Sequence, residues 1–320
     1  KLAVTFSPLV PYGKMAWLCL LALFGVACNS EASVEPESLS LLTPRRREER
    51  RPSPKIPSNI LFTHKFNLLK TSQHLHDGYL MELLRKNLLH TIKTFGSDVA
   101  SVHFWNDTDC VEGLRSLRLF GADELSAGFM SEKNGRVKSD LCRLAMLYKY
   151  GGFYFDSDIV PVLSLHTYLG EDTTFASAIS ADNKSFFQAF LAASPQHPVI
   201  AANLELFRLY YGKLERPDNK ESVLGTELMW RAFQNWAPDW NQGQPHQSRV
   251  SHADGHVSRI FYEHPFEQVR NFTGLIEMPE GALCDYAVVD TSLQQVVMFS
   301  RVVDTHAHVI CLSERVLWTL

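Results

Sequence analysis

The stretch from Ser139 to Leu165 constrains this chain more than any other, because it packs a helix, a sharp break, a buried strand and two carboxylates into one short segment. Ser139 is a candidate N-cap for a helix running from Asp140 to Tyr150. Leu141, Leu144, Ala145, Leu147 and Tyr148 line its apolar side, and Gly151-Gly152 breaks it. Phe153-Tyr154-Phe155 then reads as a short, strongly β-prone strand that runs into Asp156-Ser157-Asp158, with Ile159 to Leu165 continuing beyond. Two carboxylates two residues apart at the end of a buried strand project to the same side of the chain. In an open α/β sheet that side lies at the mouth where ligands bind. Carboxylates are hard oxygen donors that suit Mg²⁺ or Mn²⁺. Such an ion can bridge the two phosphates of a nucleoside diphosphate and stabilise charge on a departing diphosphate.

The rest of the chain predicts the same fold class. Ile60 to Thr63 follows Pro57 as a short apolar strand. Leu80, Leu83, Leu84, Leu88, Ile92 and Phe95 recur with helical period, and Gly96 ends that helix. Val99 to Trp105 is a second strand stopped by Asn106-Asp107. Strand, helix, strand at this spacing predicts a βαβ unit in an α/β fold with a mostly parallel central sheet. Asp140 and Arg143, three apart, share one helix face, so Arg143 can pair with Asp140 or meet a phosphate or a sugar hydroxyl. Trp230, Trp236 and Trp240 mark a packed subregion with a loop behind it at Gly243 and Pro245.

Composition excludes little but helps to place the chain. A net charge of −4 over 320 residues, 45% apolar and 21% charged, gives no case for nucleic-acid binding. Arg45-Arg46-Arg47 and Arg50-Arg51 sit among prolines and read as solvated linker. Met15 to Cys28 is continuously apolar, too short for an ordinary membrane span and right for a signal peptide or short signal anchor. The expected organisation is a leader or anchor over 1–28, a Pro/Arg-rich stem over 29–56 and one folded domain over 57–320. Glycosylation sequons begin at Asn106, Asn183 and Asn271. Outside the leader remain Cys110, Cys142, Cys284 and Cys311, compatible with two disulfides whose pairing three connectivities leave open. Together these features predict a lumenal or secreted domain.

The block Ser139-Asp140-Leu141-Cys142-Arg143, then Leu147 through Asp158, resembles the DxD sugar-binding region of a glycosyltransferase family. That family, family 32, includes yeast-type initiating α-1,6-mannosyltransferases and animal α-1,4-galactosyl- and α-1,4-N-acetylglucosaminyltransferases, and the donor-binding core of the large clostridial glucosylating toxins is similar. Lys55-Ile56-Pro57 with Ile60-Leu61-Phe62, and Val102 through Asp107, look like its first two strands. The resemblance implies a GT-A fold with a Rossmann-like nucleotide-binding half. It also implies a retaining transfer from a UDP-sugar or GDP-mannose to a glycan or glycolipid acceptor, in a type II membrane protein of the Golgi lumen or a secreted one. Asp158 would ligate Mn²⁺ (or Mg²⁺), Asp156 would bind it directly or through water, and His308 (or His306) would complete the ligand set. Asp140 and Arg143 would hold the donor sugar, Tyr154 would line the pocket, and Gln188 stands where the family usually has asparagine near the reaction centre. Gly225-Thr226 replaces a frequent Gly-Pro, and the tryptophan usual after the C-terminal histidine is missing. No residue is marked as a catalytic nucleophile. Two rival readings stand beside this one. Asp156-Ser157-Asp158-Ile159-Val160 also fits the nucleophile motif of haloacid-dehalogenase-like phosphatases, although that motif normally follows the first strand of its domain. The C-terminal departures would suit a degenerate sugar-binding protein.

Overall fold

The computed structural model describes residues 55–70, 78–119, 121–181, 185–212, 224–240, 248–269, 271–273 and 286–300, and two short strands at Val303–Asp304 and Val309–Ile310. The leader, most of the stem, Asn183, Cys284, His306, His308 and Cys311 lie outside the described residues.

β1 (Asn59–Thr63) buries Ile60, Leu61 and Phe62, so both faces of the strand are covered, as a central parallel strand requires. α1 (Gly78–Phe95) buries Leu83, Leu84, Leu88 and Phe95, and gives way to a 3₁₀ turn at Gly96–Asp98. β2 (Ser101–Trp105) pairs parallel with β1, which completes the expected βαβ unit. α2 (Asp107–Arg115) follows at once, with Asn106 and Asp109 forming a reciprocal capping box, and α3 (Ala122–Ser131) comes next.

α4 (Gly135–Tyr150) begins one turn earlier than the sequence predicts. Its N-cap is Asn134, whose side chain accepts from the Arg136 N–H, and Val137 already contributes to the buried face. Ser139 therefore lies inside the helix, with its hydroxyl free to bond elsewhere. Gly151 and Gly152 both take positive φ (61° and 123°), and a Cβ on Gly152 would sit 2.4 Å from the Asn59 carbonyl oxygen. The glycine pair thus lets β3 (Gly152–Phe155) start in close contact with β1, its parallel neighbour.

The chain continues through β4 (Val160–Pro161), α5 (Leu165–Leu169), β5 (Phe175–Ile179), β6 (Phe186–Ala193), α6 (Pro198–Tyr211) and α7 (Leu224–Trp236). It closes with β7 (Arg249–Ser251), β8 (Val257–Pro265), β9 (Tyr286–Asp290) and β10 (Gln295–Ser300). The sheet order is β2-β1-β3-β6-β5-β8-β9-β10-β4, with β7 paired to β8. Pairings are parallel in the β2-β1-β3 half and between β5 and β8, and antiparallel elsewhere. The expected α/β class therefore holds, with the β2-β1-β3 half of the sheet parallel.

The order dictates a curl. β3 and β4 are six places apart, which in a flat sheet is about 29 Å. Only residues 156–159 join them, and so short a link spans at most about 18 Å. The sheet must bend round to bring β4 and β10 near the end of β3, and the Asp156-Ser157-Asp158 turn is the bridge. Two cores flank the sheet. One holds Phe95, Phe153, Phe155, Phe190 and Phe261 on the α1 side; the other holds Leu141, Leu144, Tyr154, Leu191 and Phe233 on the side of α4, α6 and α7. The tryptophan subregion is packed as expected, with the Trp230 and Trp240 rings 5.8 Å apart.

Cys110 of α2 is disulfide-bonded to Cys142 of α4, with Cα atoms 5.4 Å apart. The bond closes a segment containing all of α3, so reduction should lower stability by about 2–4 kcal/mol. Urea unfolding with and without a phosphine reductant measures this directly. Coincident curves would show that the bond adds nothing.

Candidate functional site

Strand alternation sets the geometry. Phe153 and Phe155 point to the α1 core, which sends Tyr154 to the opposite face beneath α4. There the Arg143 guanidinium lies 4.6 Å above the Tyr154 ring. β3 ends at Phe155, and the Ile159 N–H donates to the Asp156 carbonyl (3.2 Å) to form a turn. Asp156 and Asp158 thus share a direction because of this turn rather than the pleat of a strand. Both are half-buried and border one cleft of about 930 Å³.

Arg143 is the hub of the site. Its Nη2 lies 3.3 Å from both Asp140 Oδ1 and Asp156 Oδ1, and also donates to the Ser139 hydroxyl (3.0 Å). Nε donates to the Ser139 carbonyl (3.3 Å), and Nη1 to the Gln188 carbonyl. The Tyr154 hydroxyl donates to Asp156 Oδ1 (2.5 Å), and it is also bonded to Thr63 of β1, which reaches the Ser139 hydroxyl as well. Asp156 Oδ1 is therefore fixed twice, and Oδ2 takes no part in these bonds.

Gln188 sits at an irregularity of β6. The register against β5 jumps between Ser177 and Ala178, so residues 188–190 fall outside the β5 pairing. The freed Gln188 carbonyl meets Arg143, and the Ala189 carbonyl accepts from the Asp156 N–H (2.8 Å). The Gln188 side chain donates to the Gly225 carbonyl (2.6 Å), while its buried Oε1 has no partner. Gly225 opens α7 directly against Asp140, where a Cβ would lie 2.0 Å from the carboxylate. Only glycine permits that approach.

Asp140, Arg143, Asp156, Asp158 and Gln188, all expected from sequence, border the same cleft. Tyr154 does not. It is fully buried under Arg143 and reaches the cleft only through Asp156. His308 lies outside the described residues. Sequence reasoning missed Asn87 of α1, whose amide donates to the carbonyls of Ser157 (2.6 Å) and Ile159 (2.8 Å). It also missed His90, whose Nε2 lies 3.2 Å from the Pro161 carbonyl. The available signal was a polar residue interrupting the apolar face of an amphipathic helix.

The electrostatics follow from burial and imbalance. Desolvation pushes the Asp140 carboxyl up to about 6, because Arg143 only partly compensates and Asp156 adds repulsion. Burial also raises the Tyr154 phenol, against the pull of Arg143. For Arg143, burial disfavours the charge, but Asp156, Tyr154 and Asp140 outweigh it and hold the guanidinium firmly protonated. Three carboxylates around one guanidinium leave an excess of two negative charges, which suits a divalent cation. Asp156 Oδ2 and Asp158 supply hard oxygen donors on one turn, so the chemistry fits Mg²⁺ or Mn²⁺. Among the described residues no cluster of three His, Cys, Asp or Glu side chains is placed to hold a metal ion, so further ligands must come from elsewhere. Lys65, Lys133, Arg136 and Lys138 border the same cleft, as do Asp107 and Glu132, and Lys138 is paired with Asp107.

Residues 72–176 match the family described as the glycosyltransferase sugar-binding region containing a DXD motif. The matched segment is about a third of the chain and contains Asn87, Asp140, Arg143, Tyr154, Asp156 and Asp158. On this match the chain carries a glycosyltransferase-type sugar-binding region, and it is a transferase. Comparison of the sequence with curated proteins returns no match. Among solved structures, the chain is similar to the PaToxG glycosyltransferase (TM-score 0.41, 15% identity, covering 59% of this chain and 72% of that one). It is also similar to the UDP-bound glycosyltransferase domain of the YGT toxin (TM-score 0.28, 14% identity, 53% of this chain), of which it spans about half the length, 48%.

Proposed function

We propose that this protein transfers a hexose or N-acetylhexosamine from a nucleoside-diphosphate sugar to a glycan or glycolipid acceptor, with retention of anomeric configuration and dependence on Mn²⁺. The observation that carries this reading is the Arg143 hub, which fixes Asp140 and Asp156 on one guanidinium at the edge of a cleft that Asp158 also borders. In this reading Asp156 and Asp158 hold the cation, which when bound neutralises the diphosphate of the donor and eases its departure. Asp140, the farther carboxylate, and Arg143 face the donor sugar and orient it by hydrogen bonds to its hydroxyls. The Gln188 amide, already tied to α7, supports the same wall. Tyr154 acts from behind by fixing Asp156 rather than by touching the donor. His308 is proposed as a further metal ligand from the C-terminal segment. The Cys110–Cys142 bond suits an oxidising compartment. With the apolar segment at 15–28 it supports placement in the Golgi lumen as a type II membrane protein, or secretion.

The test is a Mn²⁺-dependent hydrolysis screen over UDP-galactose, UDP-N-acetylglucosamine, UDP-glucose and GDP-mannose. At least one donor should turn over, and Asp158→Asn should lower that rate by about a hundredfold. Cleavage of simple phosphate esters with no turnover of any nucleotide sugar would sink the proposal and favour a phosphatase.

A further inference from the structure

We propose that Asn87 is a positioning residue for the carboxylate turn, an inference that rests on the glycosyltransferase reading and adds to it the element that aims Asp158. The turn is held both from within and from its flanks. Its internal bond runs from the Ile159 N–H to the Asp156 carbonyl, and Asp156 is fastened on the other side by Arg143, Tyr154 and the Ala189 carbonyl. The carbonyls of Ser157 and Ile159 turn toward α1. Asn87, only 2% exposed, donates to both of them, one on each side of Asp158. The backbone of Asp158 is thereby pinned before and after its Cα, and the direction of its carboxylate follows. One turn further along the same helix face, His90 meets the Pro161 carbonyl and extends the clamp into β4.

Asn87 is a poor choice for anything but this. It lies in the interior of an 18-residue helix, where asparagine is a weak helix former. Its neighbours Leu83, Leu84 and Leu88 are buried, and a leucine would extend their packing. Its Oδ1 is buried with no hydrogen-bond partner, a cost that an apolar side chain would avoid. A side chain that is unfavourable at the level of helix and core, and that spends both donors on the loop carrying the metal-binding carboxylates, marks a functional constraint. Partners that orient metal ligands in this way typically change metal affinity or activity ten- to a hundredfold when removed.

Two variants test the assignment: Asn87→Leu removes the donors at similar volume, and Asn87→Asp removes them in the same shape. Three measurements are made on each: calorimetric binding of UDP and of GDP with Mn²⁺, amide exchange over residues 156–160 without ligand, and donor turnover. The expected result is faster exchange at 156–160 with unchanged protection in α6, and at least a tenfold loss of affinity for the nucleoside diphosphate that binds with Mn²⁺. Any turnover should fall chiefly in kcat. Unchanged exchange and affinity in a folded variant would overturn the assignment. So would failure of both variants to fold, which would make Asn87 a staple of the fold. If the folded wild-type protein binds neither UDP nor GDP with Mn²⁺, the glycosyltransferase reading itself fails, and the assignment falls with it. Asp158→Asn separates the two cases, because it should lose the metal-dependent binding while keeping wild-type exchange in the turn.

Discussion

Arg143→Ala should destabilise the protein by about 3–5 kcal/mol and lower donor turnover by at least about a thousandfold. The side chain is only 4% exposed and pairs with both Asp140 and Asp156. Removing it leaves two half-desolvated carboxylates facing each other, the situation in which breaking a buried ion pair is most costly. It also strips the Gln188 carbonyl of a donor and uncovers the Tyr154 ring. The catalytic loss compounds, because Asp156 loses one of its two side-chain anchors while Asp140 loses its counter-charge. Arg143→Lys separates charge from geometry. A single ammonium keeps the countercharge but cannot reach Asp140, Asp156 and the Gln188 carbonyl together, nor lie flat over Tyr154. The expected outcome is a fold within about 2 kcal/mol of wild type but turnover still down about ten- to a hundredfold. Urea unfolding and kcat/KM on the donor found by the screen measure both effects. A lysine variant with wild-type turnover would show that only the charge matters and that the fork geometry described above is incidental.

How much of this was legible in the sequence depends on the range of the interactions. The βαβ unit, α1 and the strand before the carboxylates follow from periodicities within one segment, and the structure has them within a few residues of their expected places. The α4 start differs because Asn134 is the better cap and because Ser139 is drawn inward by Thr63 and Arg143, contacts that no local pattern encodes. Asp140 and Arg143 were findable because their spacing puts them on one helix face. Their junction with Asp156 was not, since it depends on β3 running beneath α4. The freed carbonyl of Gln188 arises from a register jump between β5 and β6, which neither strand shows alone, while the Ala189 carbonyl extends the β3–β6 pairing to Asp156. The closing curl was hidden for a related reason. It becomes necessary only once β4 is known to pair with β10 across the whole sheet.

The second large effect is on stability and runs through His197, on the face of the sheet opposite α1. Its Nδ1 accepts from the Val199 N–H and caps α6, so the ring carries its proton on Nε2, 3.4 Å from the Thr174 hydroxyl. The ring is 1% exposed, stacks near Phe175 and packs against His256 at 4.6 Å. Burial and then His256 push its pKa from 6.5 down to about 3, against an opposing pull from Asp254 and with a smaller push from His252. The folded protein thus binds fewer protons than the unfolded chain. The stabilisation is complete above pH 6.5 and is lost as pH falls toward 3, about 4–5 kcal/mol over the full window and about 2 kcal/mol between pH 7 and pH 5. Burial likewise lowers His90, His103 and His252, which adds to the loss. Asp140 has the opposite sign. Its folded pKa of about 6 lies above the ordinary 3.8, so it regains about 1 kcal/mol as pH falls from 7 to 5. The histidine wins, and metal-free wild type should be less stable at pH 5 than at pH 7. His197→Asn keeps a good N-cap but cannot titrate, so its loss of packing is a pH-independent offset and only the slope reports on the imidazole. Urea unfolding in EDTA at the two pH values should show the gap between wild type and variant change by about 2 kcal/mol in favour of the variant at pH 5. Parallel pH dependences would mean that His197 is protonated without penalty in the folded protein, and that its capping bond to α6 does not hold the ring neutral.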